Sequence, residues 1–126
     1  MRNVLMAQTM KSLADFLNAM GGLHDAVVVS IDWQIEAHTL EFTFDDLYAN
    51  FRGLPEYPGR QRGSILLRDV SRVVVEVDSE ERLRVFEILP VEDRAHEVVA
   101  KFSPSGRITV RFAAAEHPES ALRRVN

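Results

Sequence analysis

The sequence predicts an α+β fold: an antiparallel meander of six or seven strands, curled or partly closed, with an N-terminal helix packed on it. Three observations carry this. Apolar residues recur at helical spacing near the N-terminus, and beyond Gly22 they alternate with period two. The strands then follow one another through short turns, with no strand–helix–strand crossover. At 126 residues the chain is expected to form a single domain, 1–126, with enough length for a real core.

The helix is predicted near residues 3–20, where Met6, Met10, Leu13, Leu17 and Met20 fall on one face. Gly21-Gly22 follow at once, and glycine takes the left-handed conformation that closes a helix. A methionine-rich face suits an adaptable groove for a partner. Packing on the sheet is the reading adopted.

Val27, Val29, Ile31 and Trp33 alternate with Val28, Ser30 and Asp32, the pattern of a half-buried strand. Leu40, Phe42 and Phe44 alternate with Thr39, Glu41 and Thr43 and complete a hairpin. Residues 45–63 break the pattern, and Gly53, Gly59, Gly63, Pro55 and Pro58 predict no regular structure beyond a turn. Further strands are expected at Ser64–Leu67, around Val73–Val77, at Leu83–Leu89 and on either side of Ser103-Pro104-Ser105-Gly106. The alternation slips between Val85 and Phe86, which predicts a bulge or burial on both faces. Pro118 followed by Ala121 to Arg124 suits a short terminal helix.

Fifteen basic and nineteen acidic residues leave a net charge of -4, which argues against a nucleic-acid partner. Thirteen of the basic residues are Arg and two are Lys. The chain has no cysteine, so disulfides, thiolate metal sites and cysteine nucleophiles are excluded. The N-terminal apolar run, Val4 to Ala7, is too short for a signal peptide, and no stretch has the length to span a bilayer. These features predict a soluble, cytoplasmic protein with no membrane contact.

No catalytic constellation, metal spacing or phosphate-binding glycine loop stands out, so no catalytic residue, metal ligand or cofactor is assigned. His24-Asp25 is a candidate ligand site, since an imidazole beside a carboxylate suits a general base or a ligand. Adjacent strand residues point to opposite faces, which favours a structural role for the pair. His38, His96 and His117 read as solvent-exposed turn or tail residues. Asp45-Asp46 reads as a turn after a strand. In the 45–63 loop, Tyr48, Phe51 and Tyr57 stand with Arg52, Arg60 and Arg62, the residue types that dominate binding hot spots. Such a loop suits a protein partner or an anionic ligand. The competing reading folds the aromatics back over an open end of the sheet.

Leu23-His24-Asp25-Ala26, leading into a strand that ends at Trp33 and followed by Leu40-Glu41-Phe42, resembles a pattern of small uncharacterised bacterial β-rich proteins. Some of those are grouped with toxin-immunity proteins. The resemblance covers roughly the first 45 residues. It implies a bacterial protein that works by binding, and it carries no catalytic residues over.

Together these features point to a non-enzymatic, immunity-like protein-binding domain using the aromatic–arginine loop and an acidic outer sheet face. The alternative is a small ligand-binding domain or enzyme whose site is assembled across strands around His24 and Asp25. A third reading is a homodimer paired through a sheet edge.

Overall fold

The computed structural model describes residues 13–78, 82–91 and 96–118. Helix α1 covers residues 13–19, and Leu13, Phe16, Leu17 and Met20 are buried along one face of it. The earlier helical positions, Met6 and Met10, lie outside the described residues, as does the expected C-terminal helix beyond Pro118. Gly21 and Gly22 take φ of 63° and 69° and end the helix as the sequence predicts. A short 3-10 turn at Gly21–Leu23 then brings the fully buried Leu23 into the core.

The strands are β1 (Val27–Gln34), β2 (Thr39–Phe44), β3 (Gly63–Arg68), β4 (Arg72–Glu76), β5 (Leu83–Pro90), β6 (Glu97–Ser103), β7 (Arg107–Arg111) and β8 (Ala114–Glu116). All pair antiparallel in one sheet of order β4-β7-β6-β5-β1-β2-β3-β8. Eight strands form among the described residues, where the sequence predicts six or seven. The additional strand is β8, whose run of alanines offers no alternation to read. It forms by pairing with β3 through Leu66 to Arg68.

Nor is the order a simple meander. Two three-stranded meanders, β1-β2-β3 and β5-β6-β7, are joined where β1 pairs with β5, and β4 and β8 go to the two edges. No ladder joins β4 to β8 among the described residues, so the sheet is not closed. It is bent sharply all the same. Three residues link β3 to β4 and two link β7 to β8, so one bent pair of chain segments runs along the other.

One apolar core fills the curl, with Phe44, Leu17, Leu23, Leu40 and Leu67 among its most enclosed side chains. Each such residue contributes about 1.5–3 kcal/mol through burial. The register of β5 against β6 shifts between Val85 and Glu87, the bulge the sequence predicts, and turns Phe86 outward. A second bulge, between Val28 and Ser30 of β1, was not legible. Beyond it the half-buried pattern fails: Val28 is buried, but every residue from Val29 to Gln34 is exposed. The reason is that β1 pairs with β5 only at Val27 and Val28. No helix of the described residues is long and apolar enough to cross a membrane.

Gly22, at the end of the helix, packs closely on β5. A Cβ there would sit 3.2 Å from the Glu87 Cβ and 3.3 Å from the Ile88 backbone nitrogen. Gly22→Ala is therefore expected to lower stability by about 1–2 kcal/mol from its left-handed backbone alone. Urea unfolding measures this, and an unchanged midpoint would contradict the backbone strain expected of alanine at φ 69°.

Candidate functional site

The two aspartates after β2 organise everything that follows. Asp45 ties the hairpin shut: its amide donates to the Val27 carbonyl at 2.9 Å, and its carboxylate accepts from the Val27 amide at 2.8 Å. Asp46 turns inward and is completely buried. Its carboxylate accepts from the Tyr57 hydroxyl at 2.6 Å, the Tyr48 amide at 3.0 Å, the Gln61 amide at 3.2 Å and Arg52 Nε at 3.3 Å. The loop thus folds around one carboxylate, with a 3-10 turn at Ala49–Phe51 and a Leu47–Gln61 backbone bond closing its neck. Burial pushes the Asp46 carboxyl up, but the hydrogen bonds from Tyr57, Tyr48, Gln61 and Arg52 outweigh it and hold it below its ordinary value. The same carboxylate raises the Tyr57 hydroxyl. Asp46 was read as a turn residue; it is a turn residue whose side chain holds the whole loop.

The loop's aromatics lean toward the protein. Tyr48 and Phe51 pack against the core with ring centroids 6.3 Å apart, and Tyr57 is held by Asp46. Its arginines stay outside: Arg52 is half exposed beside Asp46, Arg60 donates to the Asp45 carbonyl at 3.4 Å, and Arg62 is exposed.

His24 and Asp25 do face each other, with Nε2 and Oδ1 3.6 Å apart. The two do not fall on opposite faces of a strand, because β1 begins only at Val27 and Asp25 adopts φ 71° in a turn. His24 Nδ1 donates to the Phe86 carbonyl at 2.8 Å, which fixes the ring against the β5 bulge. Of the other histidines, His38 and His96 are exposed at positive-φ turns, as expected. His117 is not. It is buried and stacks on Phe16 with centroids 4.7 Å apart, because β8 draws it under α1. Among the described residues no group of three His, Asp or Glu side chains could hold a metal ion.

Part of each candidate region meets in a cleft of about 590 Å³ at the β1–β5 junction. Asp25 and Asp45 line it together with Arg52, Arg82, Arg84 and Ser103. Asp25 and Arg52 come from the regions the sequence singles out; His24, Tyr48, Phe51, Tyr57, Arg60 and Arg62 do not line it. Arg82 and Arg84 were missed. Their one signal is spacing, since residues two apart at the start of a strand share a face. Asp45 already serves Val27 and lies 4.0 Å from Arg52. Neither the Arg82 nor the Arg84 side chain forms an ion pair among the described residues. Each guanidinium therefore offers its five N–H donors to an anionic group.

The Asp46 network generates a stability prediction. Tyr57→Phe removes one hydrogen bond to a charged acceptor and is expected to cost about 1.5–3 kcal/mol in urea unfolding. A carboxyl held low in the folded state stabilises fully above the ordinary aspartate value of about 3.9 and loses that contribution as pH falls through its folded value. Asp46→Asn should therefore flatten the acid limb of stability against pH. An identical acid limb in the variant would show that Asp46 does not carry it.

Compared with family models, curated proteins and solved structures, the chain matches no family model and shows no significant similarity to any curated protein or solved structure.

Proposed function

We propose that this protein works by binding a protein partner, and that the arginine cleft receives an acidic side chain of that partner. The observation that carries the reading is the pair of guanidinium groups, Arg82 and Arg84, without ionic partners among the described residues, beside Arg52. Arginine is the residue best suited to bidentate capture of a carboxylate and is enriched where binding energy concentrates. The Asp46-anchored loop supports the reading in another way. It holds Arg52 in place before any partner arrives, which lowers the ordering cost of association. An immunity-like role, in which the bound partner is a toxin occluded by the complex, is the specific form this binding takes.

A second reading follows from size. At about 590 Å³ the cleft falls within the range of small-molecule sites, roughly 300–1,000 Å³, so a free anion is the competing occupant. Asp25 and Asp45, which also line the cleft, would then favour an anion that carries a hydrogen-bond donor as well.

Native mass spectrometry of the protein drawn gently from its own host tests both. The expected result is a stoichiometric second protein, lost from the Arg82→Glu/Arg84→Glu variant while the thermal midpoint stays nearly unchanged, since both arginines are exposed. A complex that survives the double charge reversal would sink the cleft as its seat. A bare protein mass together with calorimetric binding of phosphate or citrate would replace the partner with a small anion.

A further inference from the structure

The geometry points to the free edge of β1 as a second docking surface, one that takes up an extended strand of a partner carrying apolar residues on one face and Lys or Arg on the other. Three observations converge on it. The first is the edge. From Ser30 to Gln34, β1 is paired in unbroken register with β2, but on its other side it has no strand partner among the described residues. Its backbone donors and acceptors there are arranged as a template for another strand. No Lys or Pro blunts this stretch, and the bulge lies before it, between Val28 and Ser30.

The second observation is the face. Ile31 lies directly opposite Phe42, and Trp33 directly opposite Leu40, so all four share the core side of the sheet. Phe42 and Leu40 are 3% and 1% exposed, yet Ile31 and Trp33 are 38% and 46% exposed. The core side of the sheet therefore ends uncovered at β1. An added strand would bring its own apolar side chains over Ile31 and Trp33, where cross-strand pairs are worth most.

The third is charge, and it selects the occupant. Residues 27–44 contain Asp32, Glu36 and Glu41 and no Lys or Arg. Asp32 stands directly opposite Glu41 on the outer side, an unfavourable like-charge pairing that is offset in part by hydrogen bonds from Gln34 Nε2 to Asp32 at 2.7 Å and from Ser64 Oγ to Glu41 at 3.1 Å. A basic residue on the added strand beside Asp32 would neutralise that repulsion. A second copy of this chain pairing edge to edge would instead set the acidic hairpin against itself. The edge and the arginine cleft are separate surfaces, and either can bind without the other.

Trp33 is the only tryptophan in the chain, so its emission reports on this edge directly. The full chain is titrated with a short synthetic peptide alternating valine and lysine. The expected result is a saturable blue shift as Trp33 leaves water, and no shift from the same peptide N-methylated at alternate residues. Asp32→Lys should weaken binding about tenfold, and Asp32→Asn by a smaller factor should the lysine variant fold poorly by circular dichroism. Absence of a shift at millimolar peptide would overturn the proposal, as would an equal response to a valine–glutamate peptide. A blue shift produced by raising protein concentration alone would give the edge to a second copy instead.

Discussion

Where β3 passes into β4 through Asp69, Val70 and Ser71, the chain bends without leaving its partner. Ser71 donates to the Arg111 carbonyl and Ala113 to the Arg68 carbonyl, both at 2.9 Å, so the corner carries the ladder from β3–β8 into β4–β7. Val70 donates to the His38 carbonyl and is buried, pinning the far end of the first hairpin to the same corner. Backbone hydrogen bonding is obligatory in a buried segment, so a corner that satisfies its groups across two segments fixes the angle between them. The two meanders are held face to face by this bend. Neither buries its apolar face alone, and the core exists because the sheet is folded over.

Asp46 does for the long loop what the corner does for the sheet. A loop rich in glycine and proline has few ways to satisfy its own backbone. Here one buried carboxylate accepts two amides, a hydroxyl and a guanidinium, and the loop becomes a fixed wall. Removing a buried charge from water is costly, and it is tolerated only where the hydrogen bonds to it are complete. Arg52 stands at the cleft with its Nε held by Asp46, while Tyr48 and Phe51 pack against the core.

Charge is divided across the surface in a way the net value conceals. The β1–β2 hairpin is acidic, whereas the cleft at its base gathers Arg52, Arg82 and Arg84 around Asp25 and Asp45. Opposed fields on neighbouring surfaces favour one orientation of a partner over others and speed its encounter. The overall charge of -4 does not reveal this division.

Local patterning by itself determined most of the elements. The face of Leu13, Leu17 and Met20, the glycine stop at Gly21-Gly22, the β1–β2 hairpin and the β5 bulge follow from side-chain period and backbone preference, which act over a few residues. What those rules cannot see is which segments meet. The alanine-rich β8 becomes a strand only because β3 offers it an edge, and Val29 to Gln34 stay exposed despite their alternation because β5 parts from β1 after Val28. Burial of His117 under α1, the contact of His24 with Asp25 and the gathering of Arg82 and Arg84 beside Arg52 are likewise set by contacts between elements. Period and propensity are local quantities, whereas pairing, burial and charge proximity are properties of the folded chain, and so every element but β8 was legible in the sequence and the site was decided by the tertiary structure.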